Sequence, residues 1–427
     1  MIHTVTEHTL STGTKGLLID VPGSEVVNIL IRFNSGFQFS PEGKYELSHF
    51  VEHLIADGNK DYPSDEAFKV EITKNGAYRN AYTNSRVNGY IIECAAFELP
   101  RILDLLVGYL GKPLFPQESF ATELNNVREE LNRFTTEPMN VCGINLGASL
   151  WPGEVKELQP RLDQLDSITI QDVRDFYART HTAKNMRFYV AGDLSSSKDL
   201  VLDKLNTLAE LLPEGKRLAV LDDEPIEPIK PVIEERDLKS IYYGVNGVSA
   251  PLNESERRVS RLMRSLLFGG YQGRIYGPMR QRGLAYTIGG SITNQPNRSE
   301  LHIWGYVTKK TIQPLFELVA TEFDRLQRGD LTQKELRANL DLIVGSLTLS
   351  LQTSRDLLNR YAGEYDLWGT VREVESEFKA LERITVDEVI AVARKLAVAK
   401  VIGASYVGSI PEGKLSEYTN TIYTIWK

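Results

Sequence analysis

Apolar positions along the chain recur with two spacings, and the spacing changes every ten to twenty residues. Residues 26–33, 89–94, 186–190, 241–245 and 301–307 are short runs rich in β-branched and aromatic side chains, the pattern of strands. Residues 44–57, 64–74, 98–110, 117–134, 170–179, 255–268, 312–327 and 332–362 place apolar side chains at three- and four-residue intervals, which predicts helices packed by one face. The two kinds are neither segregated nor strictly alternating. That order predicts α+β domains, each a mainly antiparallel sheet with helices packed on one face.

The pattern is written twice. Residues 165–173, Leu-Asp-Ser-Ile-Thr-Ile-Gln-Asp-Val, reappear as Leu-Glu-Arg-Ile-Thr-Val-Asp-Glu-Val at 381–389, an offset of 381 − 165 = 216. Val190-Ala-Gly192 and Tyr406-Val-Gly408 end strands at the same offset, and the helical stretch 117–131 overlays 333–347. Upstream, 49–58 overlays 261–270 at an offset of 212, so the intervening loops differ in length. Several segments at a common offset mark a duplicated domain. Between the copies Pro213, Pro225, Pro228 and Pro231 are interleaved with the acidic run Asp222-Asp223-Glu224, a composition that disfavours helix and central strand alike. The expected organisation is an N-terminal domain over 1–211, an exposed linker over 212–232 and a homologous domain over 233–427.

Composition narrows the class of function. The 427 residues carry 49 Lys and Arg against 57 Asp and Glu, a net charge of −8, with no basic block. That balance offers no footprint for nucleic acid or anionic lipid. No apolar run has the length of a membrane span, and the first residues lack the basic-then-apolar form of a secretory signal. The two cysteines, Cys94 and Cys142, are too few for a disulfide framework and read as buried free thiols. The expected setting is cytoplasmic.

Six histidines remain, two of them four positions apart in His49-Phe-Val-Glu-His53. On a helix, positions i, i+3 and i+4 share a face, so His49, Glu52 and His53 project together. Two imidazoles so placed can chelate zinc, and the carboxylate beside them can take a proton from water at the metal. Such a site needs a third protein ligand, usually a carboxylate. The Glu-rich helix after residue 117 offers Glu123 and Glu130, which share a stripe with Val127, whereas Glu129 points about 100° away. The second copy serves as a control. It has Arg261, Arg264 and Ser265 for the histidine set and Asn339 and Ser346 for the two glutamates, while the apolar pattern persists. The metal chemistry therefore belongs to the first copy.

Over essentially its whole length the sequence resembles the pitrilysin/insulinase family of zinc metallopeptidases, the inverzincins, in the half-length, two-domain form. That family has H-x-x-E-H followed about 77 residues later by a liganding Glu, and 130 − 53 = 77 selects Glu130. It has a second Glu seven residues earlier, matching Glu123, which supports the site from behind. A glycine after the first motif and a later Asn-Ala-x-Thr stretch match Gly58 and Asn80, Ala81 and Thr83, implying peptide binding there. In the second copy, residues 269–286 are similar to the family's glycine turn and R-x-x-x-L-A-Y element. The resemblance implies that Arg280 binds substrate backbone and that Tyr286 stabilises the oxyanion.

What the resemblance implies as a whole is a zinc endopeptidase with one Zn2+ per chain. It would act on unstructured peptides or leader segments, bound as extended strands in a site composed from two half-units. A homodimer is the simplest assembly, with a heterodimer with a homologous chain also open. The rival is a non-catalytic or regulatory subunit of a hetero-oligomeric processing peptidase. The intact set of His49, Glu52, His53 and Glu130 favours the enzyme.

Overall fold

Val26–Phe33 turns Val27, Ile29, Ile31 and Phe33 to one face and Asn28, Leu30 and Arg32 to the other, and all but the half-buried Arg32 are buried, so both faces are covered. The computed structural model describes residues 2–221, 224–228, 230–410 and 413–426, so parts of the expected linker, Asp222, Asp223 and Ile229, lie outside the described residues. The described chain forms two compact units. The first comprises Met1–Arg133, Leu158–Leu221 and Ser350–Val371; the second comprises Phe134–Glu157, Asp222–Leu349 and Arg372–Lys427.

Unit one is built on strands β1 (Thr4–Thr9), β2 (Lys15–Asp20), β3 (Val26–Phe33), β4 (Tyr78–Thr83), β5 (Asn88–Ala95) and β6 (Met186–Gly192) in the order β1-β2-β6-β3-β5-β4. Every pairing is antiparallel except β2 with β6. On one face of β3, Val27, Ile29, Ile31 and Phe33 are fully buried against the helical layer. That layer includes α1 (Leu47–Leu54), α2 (Asp65–Thr73), α3 (Leu99–Gly111) and the helix Ile170–Thr180. Behind Phe33 sits His181, whose ring nitrogens meet Tyr90 Oη at 2.7 Å and Thr180 Oγ1 at 3.0 Å. The Thr180 hydroxyl gives its proton to the Phe176 carbonyl, so His181 Nδ1–H donates to Thr180 and Nε2 accepts from Tyr90. Burial holds this imidazole far below its usual range, at about 3, as a neutral core residue.

The opposite face of β3 is covered by the helix Ser354–Trp368. Asn28 donates to Ser354 Oγ at 2.9 Å, Arg32 donates to Asp366 at 2.6 Å, and Tyr189 donates to the other Asp366 oxygen. The structure thus adds a single helix on the second face to the expected layer on the first. The apolar pattern over 332–362 predicts one helix, and here the structure differs. A helix ends at Leu349 and a second begins at Ser354, capped by Thr353, whose side chain and backbone form a capping box with Asp356.

Unit two has strands β7 (Val232–Glu234), β8 (Ser240–Ser249), β9 (Ile288–Asn294), β10 (Ser299–Thr308) and β11 (Ala399–Val407) in the order β7-β11-β8-β10-β9. Ile241, Tyr243 and Val245 of β8 enter the main core, where Tyr243 meets Phe316 edge-on. Its second face carries α5 (Pro138–Leu150), whose Leu146 and Leu150 pack with Trp151 and Val248. Glycine permits this approach. A β-carbon on Gly244 would lie 3.2 Å from Leu146, and one on Gly403 would lie 3.0 Å from Leu150. The helices on the two second faces are equivalent in the repeat, since 354 − 138 = 216. Compact units and the repeat boundary at 212–232 therefore differ by this pair of segments. No helix among the described residues is long and apolar enough to cross a membrane.

Candidate metal centre

Short as it is, α1 has a strongly two-sided sequence. Leu47, Phe50, Val51 and Leu54 are buried, which turns His49, Glu52 and His53 toward the other side. Facing them is α4 (Gln117–Thr136), where Val127 and Leu131 are buried and Phe120 stacks on Phe50 with ring centroids 5.6 Å apart. The apolar contacts thus set the spacing of the polar ones. His49 Nε2 and His53 Nε2 lie 3.2 Å apart, and Glu130 Oε2 lies 3.4 Å from the first and 3.8 Å from the second. Tetrahedral zinc with ligand bonds of about 2.1 Å separates its ligand atoms by about 3.4 Å. The three donors fit that ion.

The backing of each donor agrees. His49 Nδ1 meets Glu46 Oε2 at 3.0 Å, and His53 Nδ1 meets Glu123 Oε2 at 2.7 Å. With each Nδ1–H directed to a carboxylate, both Nε2 lone pairs face the same point, an arrangement that requires a cation or a proton between them. Burial would lower the His49 pKa, but the bonds to Glu130 and Glu46 outweigh it and raise it to about 9. Burial likewise opposes ionisation of Glu46, yet its bonds with His49 and Arg161 hold it below the usual carboxylate range. Arg161 Nε donates to Glu46 Oε1 at 2.5 Å. Glu123 and Glu130 are lowered by hydrogen bonds from His53 and His49 respectively. The centre favours positive charge.

Glu52 stands beside the donors with its own anchor. Thr83 donates to Glu52 Oε2 at 2.6 Å, Asn88 donates to Thr83 Oγ1 at 2.6 Å, and Ser35 donates to Asn88 Oδ1 at 2.5 Å. Thr83 therefore touches the acid–base candidate itself. Asn80 and Ala81 lie on β4, the edge strand of the sheet, with Asn80 exposed. In unit two, Arg280 donates to the Tyr286 carbonyl at 3.0 Å, with its guanidinium 4.8 Å from the centre of the Tyr286 ring. Tyr286 is 70% exposed, so its hydroxyl is available.

Sequence reasoning missed Glu46, Arg161, Asn88 and Ser35. Glu46 had a legible signal, standing three residues before His49 on the same helical face. Arg161 had none, because 115 residues separate it from its partner. Glu46→Gln removes the charge that orients His49 and is expected to weaken zinc binding about 10–100-fold. Competition against a chromophoric chelator measures it; an unchanged affinity would show that Glu46 serves only Arg161.

Fold and site together define a duplicated α+β protein with two histidines and one carboxylate converging as a candidate metal site, flanked by a further carboxylate. A family profile described as "Insulinase (Peptidase family M16)" matches residues 17–158, and one described as "Peptidase M16 inactive domain" matches 167–341. The chain belongs to peptidase family M16. It is 20% identical over 412 residues to an uncharacterized zinc protease of Streptomyces coelicolor, covering 92% of this chain and 87% of that protein. It is 20% identical over 265 residues to the mitochondrial-processing peptidase subunit beta of Dictyostelium discoideum, covering 61% of this chain and 56% of that protein. A crystal structure of a protease from Helicobacter pylori shares the fold, with a TM-score of 0.84 at 16% identity over 96% of this chain and 100% of that one. The M16 match described as inactive covers the stretch in which Arg261, Arg264, Ser265 and Asn339 stand in place of His49, Glu52, His53 and Glu123. In unit two Arg261 bonds Glu377 and Arg264 bonds the Gly290 carbonyl.

Proposed function

We propose that the chain is a zinc endopeptidase of unstructured peptides, holding one Zn2+ through His49 Nε2, His53 Nε2 and Glu130 Oε2. The observation that carries this reading is the convergence of those three atoms beside a Glu52 already anchored by Thr83. Zinc bound there would act as a Lewis acid toward water and the peptide carbonyl. Glu52 takes the proton of the attacking water and returns it to the leaving amine nitrogen. Thr83 holds Oε2, which orients the carboxylate and leaves Oε1 to receive that proton. Tyr286 donates its hydroxyl proton in a hydrogen bond to the developing oxyanion, and Arg280 anchors the peptide backbone. The peptide adds as an extended strand along β4, the end of the strand order, where it takes the place of the Asn80 side chain on the Ala81 N–H.

The proposed assembly is a homodimer in which the zinc set of one chain works with Arg280 and Tyr286 of the other. Both sets are present in one chain, and a symmetric pair is the commonest oligomer. The setting proposed is cytoplasmic, where the buried free thiols Cys94 and Cys142 stay reduced. A non-catalytic subunit would have no use for an anchored Glu52, which favours the enzyme over that alternative.

A mixing experiment tests the composite site. Glu52→Gln and Tyr286→Phe chains are each expected to be inactive. Equal amounts dissociated and reassociated should recover about one quarter of the wild-type sites, because half of the dimers are mixed and each mixed dimer has one intact site. No recovery would place the whole site within one chain.

A further inference from the structure

Next to Glu52 and His53, within unit one, lies a cavity of about 290 Å3. Three polar atoms on its walls are buried without a hydrogen-bond partner: Asp57 Oδ2, Asp65 Oδ1 and Arg79 Nη1. Asp57 is only 8% exposed. Buried polar atoms in native proteins are completed by protein, water or ligand, and orphans are few. Three around one cavity, beside the proton-accepting carboxylate, indicate a space shaped for a guest. On the same measure a single water needs only about 10–15 Å3, so one ordered water does not fill it.

The free valences define the guest. Glu123 is committed to His53 and Asn126, and the exposed Lys69 is committed to the other Asp65 oxygen at 2.5 Å. The Arg79 guanidinium is held over the rings of Phe68 and Tyr109, at 5.5 and 5.1 Å from their centres, with Nη1 left over. What remains is two carboxylate oxygens that accept and one guanidinium N–H that donates. Ala56, also on the wall, keeps the space open. Burial, with Glu123 and Asp65 nearby, pushes the Asp57 carboxyl up to about 7 against the opposing pull of Lys69 and His53.

We propose that this cavity is a specificity pocket for a lysine or arginine side chain on the substrate residue adjoining the scissile bond. Asp57 and Asp65 pair with the cationic head, and Arg79 Nη1 donates to a carbonyl of the same peptide. An acidic side chain is rejected by the two carboxylates, and an aliphatic one leaves them unpaired. This inference rests on the peptidase reading.

The test uses the zinc-loaded full chain and a flexible blocked decapeptide varied at one position among Lys, Arg, norleucine and Glu. Mass spectrometry is expected to find cleavage beside the basic residue, with kcat/KM at least tenfold above norleucine and a hundredfold above Glu. Asp57→Asn should reduce the Lys-to-norleucine ratio below threefold, and Asp65→Asn, at the more open wall, should reduce it partly. A ratio unchanged in both variants, or a preference for norleucine or Glu, overturns the proposal. Binding of the same peptides to Glu52→Gln protein, followed by fluorescence anisotropy, separates the pocket from the chemistry. If no peptide is cleaved, the peptidase reading falls. Tenfold tighter binding of the Lys peptide, lost in E52Q/D57N, still supports the pocket, and equal binding of all four peptides overturns it.

Discussion

Glu52→Gln is expected to lower kcat for an unstructured peptide by about 10²–10⁴-fold while leaving one zinc per chain. The amide keeps the size of the carboxylate and still accepts from the Thr83 hydroxyl at Oε1 or its equivalent, so the chain Ser35–Asn88–Thr83 persists. His49, His53 and Glu130 are untouched, and so is the backing from Glu46 and Glu123. What is lost is a carboxylate beside the metal donors that is neither itself a donor nor bonded to a histidine. KM should change little, because Glu52 acts on a proton and not on the peptide frame. Zinc content by plasma emission and kcat by a quenched fluorescent peptide read the two quantities separately. Activity within tenfold of wild type would remove Glu52 from the proton transfer.

Asp366→Ala should destabilise unit one by about 3 kcal/mol, although residue 366 lies far from the first copy in sequence. Its carboxylate accepts from Arg32 and Tyr189, and Arg32 also donates to Tyr82. Removing one partner of a largely buried pair leaves the other charge uncompensated, at a cost of about 3–5 kcal/mol. Side-chain exposures of 18% for Arg32 and 20% for Asp366 place the effect at the lower end. Hydrogen exchange should rise across 354–368 before it rises elsewhere in the unit, since the ties of Ser354 to Asn28 and to the Val26 carbonyl hold the helix to β3 at its other end. A shift under 1 kcal/mol in the urea transition of unit one would show that apolar packing alone holds the helix.

Legibility followed the range of the interactions. Strands at 26–33, 186–190 and 241–245 were readable because their side chains alternate or run continuously apolar, and the structure places β3, β6 and β8 there. The false continuity of 332–362 arose because periodicity persists across Thr353, whose capping box with Asp356 is local but was outweighed by the apolar spacing. The short edge strands β1 and β7 were not legible, since their residues are mixed in character and become strands by pairing.

The candidate site divides in the same way. His49, Glu52 and His53 share one helical face whatever the tertiary fold, because 3.6 residues per turn dictates it. The position of Glu130 relative to Glu129 on its helix follows from the same geometry, and the replacement of the candidate residues in the second copy, with its apolar pattern kept, already assigned the candidate site to the first half. Sequence alone thus determined the candidate ligand set, the duplication and the central strands. Only the tertiary structure decided that Glu46 and Arg161 brace His49, that Thr83 holds Glu52, and that Asp57, Asp65 and Arg79 share one cavity. It also decided which helix covers the second face of each sheet. The physical reason is common to all of these. Local backbone geometry relates residues a few positions apart, whereas a contact across 31 or 115 positions is set by how buried faces pack, and many sequences share the same periodicity.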